Sequence, residues 1–349
     1  MSVLYISDQG AFLRKEGDRL VVQKAREIIQ SVHYFKIDQI VLMGNISISP
    51  AMISFLLDQG IDTVFMSIYG RYRGRLISQF GKNIDLRVAQ FRKMENSAVK
   101  LAIAKKYVKG KLENFRILLR KYNKKIQSEE IVSALNMIRA MLRQVDNADT
   151  IQQLTGMEGK GSAAYFGVFG KLIKAENIVF NGRNRRPPKD AVNVLLSLGY
   201  TLLRNAIQTQ INIVGLDPFL ACLHSVEYGR ASLADDLMEE FRPVIVDPLV
   251  LILLNKKIIR YTDFYKPDEQ EPAAFDFAEE YPDKNGYPII LTHTGMKKFI
   301  THFSSYINQT VLYLPQGKML TYKNIFLEQV RLLARQLKDE DEYTPYIMR

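Results

Sequence analysis

The apolar residues of this chain change their spacing at about Asn83. Before it they fall in short runs punctuated by glycine; beyond it they recur every three or four residues. A two-residue period buries one face of a strand, whereas a 3.6-residue period buries a stripe along a helix. Leu4–Ser7, Ala11–Lys15 and Arg19–Gln23 are extended runs split by Gly10 and Gly17, which predicts consecutive hairpins. Gln39–Met43 is a further strand ending at Gly44, and Asp62–Ile68 is another. Between them Ser49 and Pro50 open a helix as N-cap and first helical residue. Met52, Ile53, Leu56 and Leu57 share its apolar face, and Gly60 stops it. The segment YGRYRGRLI reads as a basic turn or hairpin.

From Asn83 onward helices are expected over Val88–Leu119, with Gly110 as the interruption, and over Glu129–Leu142, Asn147–Leu154, Asp190–Ile213 and Asp217–His224. Ser232–Phe241, Val244–Leu254, Gly295–Ile307 and Tyr322–Leu337 continue the pattern, while Asn181–Lys189 and Asp263–Lys284 read as loops. The expected fold class is α+β. A small, two-sheet, sandwich-like β domain with one helix (residues 1–80) precedes a larger all-α domain (81–349). A length of 349 residues agrees with two domains, because single cores rarely grow that large. The longest strongly apolar run, Leu249–Leu254, is too short to span a bilayer. No signal-peptide pattern opens the chain, and the single cysteine, Cys222, excludes an internal disulfide. A cytoplasmic location without membrane contact is therefore expected.

The formal net charge of +11 is unevenly spread. Between Ile68 and Lys125 stand 17 Lys and Arg against Asp85, Glu95 and Glu113, a local excess of +14 (17 − 3). Tyr72, Phe80, Phe91, Tyr107, Phe115 and Tyr122 are interleaved. Such a run is either a solvated face or a surface that replaces counterions on a phosphate backbone, and a polyanion is the leading partner. Arg71, Arg73 and Arg75, with Arg183, Arg185 and Arg186 of the NGRNRRPPK loop, are the candidate phosphate contacts.

The segment HSVEYGRASLADDLMEEFRP (224–243) crowds acids behind a histidine. On a helix Asp236 shares a face with Glu239 and with Glu240, beside the stripe of Leu233, Leu237 and Phe241. A solvated acidic face would account for the acids, and a hydrogen-bonded core histidine for His224. Together, however, one imidazole and carboxylates suit Mg²⁺ or Mn²⁺ with open coordination positions. A third ligand could come from Glu158, ahead of a helix in TGMEGKGSAAYF. No GxxxxGK[ST], GxSxG or HExxH pattern is present.

The blocks LTGMEGKGSAAYF (154–166), DAVNVLLSLGYTLL (190–203) and GLDPFLACLHSVEYGRASLADDLMEEFRPVIVD (215–247) resemble the CRISPR-associated adaptation endonuclease/integrase family ("Cas one", the spacer-acquisition integrase). IVLMGNISISPAMISFLLDQGIDTVFMSIYGRYRGRL (40–76) extends the resemblance into the β domain. It implies metal ligands at Glu158, His224 and Glu239, an accompanying acid at Asp236, and supporting positions at Tyr165 and Asn193. It implies Mg²⁺ or Mn²⁺ and a homodimer contacted through the β domain. It also implies a small adaptation-module partner protein bridging two dimers. The implied reaction is attack of a DNA 3′-hydroxyl on a repeat phosphodiester, inserting new spacers from double-stranded precursors. A related integrase or DNA-repair nuclease outside CRISPR adaptation, or a non-catalytic DNA-binding scaffold, would carry the same residues. Gly161 and Ser162 stand where alanine-like residues are usual, and Asp235 where an apolar residue is common; these departures are expected to affect only local packing and the field at the site.

Overall fold

The computed structural model describes residues 2–78, 83–184, 188–267 and 289–349. Arg185, Arg186 and most of the expected acidic loop after Asp263 lie outside the described residues. The chain divides into two compact units, Met1–Phe80 with Thr262–Asn308, and Gly81–Tyr261 with Gln309–Arg349. Residues 262–308, expected with the helical part, thus belong with the strands.

The first unit holds two four-stranded sheets. In one, β1 (Ser2–Ile6), β5 (Ile37–Met43) and β7 (Asp62–Met66) run parallel, and β8 (Tyr72–Leu76) pairs antiparallel with β7. In the other, β2 (Phe12–Glu16) and β3 (Arg19–Lys24) form one of the expected hairpins, β4 (Glu27–His33) extends it to a meander, and β6 (Ser47–Ile48) joins β2 in parallel. The other expected hairpin is absent, because β1 pairs with β5 and not with β2. Leu4, Ile6, Leu13, Leu20, Val22, Ile40, Leu42 and Leu56 make the core. Strand β4 escapes the sequence pattern because it is an edge strand with no fully buried residue. Helix α1 (Pro50–Asp58) begins as expected, with Ser49 accepting from the Met52 N–H at 3.1 Å. This unit also holds a short strand pair, Phe264–Tyr265 with Ile290–Leu291, and the helix His293–Ile307.

The second unit is mainly helical. The single long helix expected around Gly110 is two, α2 (Ile84–Glu95) and α3 (Ser97–Ile126). The break falls at Asn96, whose side chain caps α3 through the N–H groups of Ala98 and Val99. Gly110 lies unbroken inside α3, where its missing side chain has a packing role. A Cβ there would come within 2.6 Å of Pro345 Cβ and 3.1 Å of Glu240 Cβ. One turn later the buried Asn114 donates to the carbonyls of Glu240 (2.9 Å) and Tyr346 (2.8 Å) and accepts from the Met348 N–H (2.9 Å). Residues 343–348 are thereby laced onto α3 beneath the acidic segment.

Next come α4 (Glu129–Gln144), α5 (Ile151–Phe169), α6 (Ala191–Val214), α7 (Ser232–Met238) and α8 (Asp247–Asn255). Helix α6 is buried on nearly every face and is the axis of the unit. The unit is not all-α: Thr310–Tyr313 and Lys318–Thr321 form a hairpin ahead of the helix Tyr322–Leu337. The helix expected over Asp217–His224 is a chain of turns. Its backbone groups are taken by side chains instead. Gln90 accepts from the Asp217 N–H (2.7 Å) and donates its amide to the carbonyls of Asp217 (2.9 Å) and Leu220 (3.2 Å).

Candidate metal centre

Asp236 organises the site from beneath. It is fully buried in α7, and its Oδ2 accepts from the N–H groups of Cys222 (2.6 Å) and Leu223 (2.8 Å). Its Oδ1 accepts from the His224 N–H (2.9 Å) and meets the His224 ring at Nδ1 (2.7 Å). Four donors thus converge on one carboxylate, which bends residues 222–224 away from helix and aims the imidazole. With Nδ1 engaged, Nε2 is the nitrogen left facing Glu239, 3.8 Å from its Oε1. Burial opposes protonation of His224. The Asp236 hydrogen bond and the charges of Asp236, Glu239 and Asp235 outweigh it and raise the imidazole above its usual 6.5.

Glu158 sits in the middle of α5, not ahead of a helix; Gly156, Gly159 and Gly161 lie inside it. The Ser162 hydroxyl, one turn on, donates to Glu158 Oε1 at 2.6 Å, so this departure from the family pattern does touch an expected ligand. Glu239 follows directly after α7, and its side chain is 4% exposed. Its Oε1 lies 3.2 Å from Arg242 Nη2, and its Oε2 lies 2.5 Å from the Lys111 ammonium. Lys111, on α3, also pairs with Glu158 Oε1. Gly161 helps this approach, because a Cβ there would collide with the Leu112 side chain next to Lys111. Burial works against charge on Glu239, but Arg242, Lys111 and His224 hold its carboxyl down to about 2. On Glu158 burial and the nearby Glu239 act upward, and Lys111 and Ser162 bring the net shift below the usual value.

Glu158, His224 and Glu239 therefore meet from α5, the loop before α7 and the end of α7, with Lys111 between the glutamates. Among the described residues no three His, Cys, Asp or Glu side chains stand close enough to hold an ion as placed. The ammonium separates them. The donor set nevertheless fits a hard divalent cation: two ionised carboxylates and one imidazole nitrogen around a point of buried positive charge. Glu240, beside Glu239, does not turn outward; it is fully buried on the opposite side, where burial pushes its carboxyl well above the usual range.

The profile of the family described as CRISPR associated protein Cas1 matches residues 4–305. This chain belongs to the Cas1 family. It is 33% identical to "CRISPR-associated endonuclease Cas1 3" of Thermus thermophilus, an alignment covering 100% of this chain and 98% of that protein. Among solved structures, "Casposase bound to integration product" superposes with a TM-score of 0.81 at 24% identity, covering 99% of this chain and 93% of that one. A chain of the "Cas6-RT-Cas1--Cas2 complex" gives 0.81 at 22% identity, over 100% of this chain and 36% of that one. The mixed α+β fold with its larger helical part is thus that of Cas1 proteins.

Beside His224, the Cas1 chain has an open cavity of about 750 Å³ lined by Arg183, Arg204, Arg230 and Arg242, with Tyr200 and Tyr228. Asn193 is fully buried and does not reach the glutamates. Its Oδ1 accepts from Arg183 (2.7 Å) and the Asn184 N–H (3.0 Å), and its amide donates to Gly182 and Asp190, fixing the loop that presents Arg183. Tyr165 is buried behind the site, where it stacks on Phe115 at 3.7 Å and donates to Asp247 at 2.8 Å. Tyr200 donates to the other oxygen of Asp247 at 2.6 Å and lies under Arg242 (4.8 Å). Asp235 is no packing detail: it pairs with Arg204 and Arg230, each at 2.8 Å.

The basic stretch is only partly an exposed face. Arg73 is exposed, whereas Arg75 turns inward against Asp62 at 3.2 Å with its side chain 4% exposed, which removes it as a DNA contact. On α2 and α3, Lys93, Lys106 and Lys109 pair with Asp339, Glu342 and Asp146. Sequence reasoning missed Lys111, Arg242, Tyr200 and Asp247. Lys111 was hidden in a charge run, but Arg242 and Asp247 lie inside the block 215–247, and that adjacency was a usable signal.

Proposed function

We propose that this chain is a metal-dependent DNA endonuclease and integrase that inserts short duplex DNA into a CRISPR array. Strand transfer would proceed by transesterification, a 3′-hydroxyl attacking a repeat phosphodiester; water in its place would give nicking. The carrying observation is the convergence of Glu158, Glu239 and the Asp236-oriented His224 beside an arginine-lined cavity. Glu158, His224 and Glu239 would hold Mg²⁺ or Mn²⁺. Held there, such an ion would supply positive charge to offset that developing on the attacking and leaving oxygens.

The chain's own residues do the rest. Asp236 keeps the His224 ring aimed, Arg242 and Ser162 restrain Glu239 and Glu158, and the cavity arginines supply positive charge for a strand's phosphates. Arg71, Arg73 and Arg183 remain candidate backbone contacts. The β-rich unit would mediate a homodimer and contacts to a small partner protein of the adaptation module, a role consistent with the Cas1–Cas2 complex named above. No helix among the described residues is long and apolar enough to cross a membrane. Action on a chromosomal array would place the protein in the cytoplasm.

The test is a joining assay with purified protein, its small partner, a 3′-hydroxyl duplex and repeat DNA. Product is expected with Mn²⁺ or Mg²⁺ and not with chelator. Joining by Glu239→Gln or His224→Ala at the wild-type rate would overturn the assignment of the site.

A further inference from the structure

We infer that Lys111 is a built-in counter-ion for the metal-binding carboxylates: its ammonium holds Glu158 and Glu239 together in the metal-free protein and yields that place to a divalent cation. The inference rests on the metal-site reading above. Lysines are almost never buried unless paired, and the Lys111 side chain is 4% exposed. It touches both glutamates at once, Glu239 at 2.5 Å. These carboxylates come from different elements, and without a cation between them they would repel one another. Arg242 at 3.2 Å balances Glu239 from its far side, so the four side chains are together neutral.

Binding a dication to this cluster adds two charges where one already sits. The lysine stem is flexible, and its ammonium already lies over the Phe115 ring, 5.6 Å from the centroid, a contact it can keep as it withdraws from the carboxylates. Lys111 is thus a positioning residue. It keeps the ligands charged and in register while empty, and it weakens ion binding because it must be displaced. Metal-free stability and metal affinity are therefore opposed through one side chain.

Lys111→Met keeps the unbranched stem, one atom shorter, and removes the charge. In chelator it is expected to melt on the order of 10 °C below wild type, because two buried carboxylates lose their partner. By calorimetry it is expected to bind Mn²⁺ on the order of tenfold more tightly, because a like charge has left the site. A side chain that merely fills space would move the first quantity and not the second. A group reserved for the DNA phosphate would move neither. Mn²⁺ binding by wild type with an affinity unchanged within about twofold in Lys111→Met overturns the inference alone. No saturable Mn²⁺ binding by wild type overturns the metal-site reading and this inference with it. If Lys111→Met cannot be purified without metal, Lys111→Met/Glu158→Gln decides, having lost one charge of each sign. A folded, metal-free double variant supports the counter-ion role, and a double variant as unstable as the single one refutes it.

Discussion

Asp236→Asn tests how the site is held together. The carboxylate serves four donors, two on each oxygen. An amide has one oxygen, so in either orientation its NH₂ group is set against two of them. If it replaces Oδ1 it faces the His224 N–H and Nδ1; if it replaces Oδ2 it faces the N–H groups of Cys222 and Leu223. Each lost hydrogen bond to a charged acceptor is worth about 1.5–3 kcal/mol, and one buried N–H is left unmatched in the first orientation and two in the second. The expected loss of stability is about 3–5 kcal/mol, read as a lower melting temperature in chelator. The amide also presents a donor to Nδ1 in the first orientation, which favours the tautomer with its proton on Nε2, the nitrogen that faces Glu239. Mn²⁺ affinity should fall about 10–100-fold, the usual effect of removing a ligand's orienting partner. Calorimetry and melting on the same preparation give both numbers. A variant that melts with wild type and binds Mn²⁺ equally well would refute the account of Asp236 as the organiser.

Asp247 carries a pH signature: burial lifts its carboxyl to about 6 from 3.8, against the pull of Tyr200 and Tyr165. The folded state therefore binds this proton more tightly, so the group's contribution to stability is present below pH 3.8 and is lost as pH rises to about 6. Asp247→Asn should gain on wild type by about 2 kcal/mol between pH 4 and pH 7, and a gap constant with pH would show the shift is absent. Asp235→Leu should release Arg204 and Arg230, costing about 1 kcal/mol for partly exposed pairs and steepening the salt dependence of DNA binding by about 0.9 per added contact. An unchanged slope would mean these arginines do not reach DNA. Arg75→Ala should cost about 3 kcal/mol by stranding Asp62, with DNA affinity untouched; the reverse pattern would put Arg75 on the surface.

The switch of period at Asn83 marked where the two four-stranded sheets give way to the long helices but missed the short strands at 264–265, 290–291, 310–313 and 318–321. Ser49-Pro50, by contrast, marked the start of α1 to the residue. Local signals misled where distant side chains replaced local ones. The apolar stretch before His224 has helical spacing, yet Gln90 and Asp236 take its backbone groups, and neither lies nearby in sequence. Glu158 was expected ahead of a helix, whereas α5 runs through it and its glycines; of these Gly161 has a packing role that depends on Leu112, on another helix. Glu158, His224 and Glu239 could be named through the family's motif, since residue identity travels with the motif. Lys111 could not, because a lysine in a charge run reads alike whether it faces water or two buried glutamates.

Asn114 and Gly110 have a consequence for synthesis. They bind Tyr346, Met348 and Pro345 under the segment that carries Glu239, and Tyr346 stacks on Phe241 at 5.5 Å. A growing chain makes residues 343–348 roughly a hundred positions after Glu239, which at about 5–20 residues per second is a delay on the order of 5–20 s. Through that interval Asn114 lacks its partners and the floor beneath Glu239 and Glu240 stands open. A nascent polypeptide that has passed Glu239 but not residue 348 holds every proposed ligand yet lacks the support that sets them in place, so the proposed site would be completed only once those residues are made.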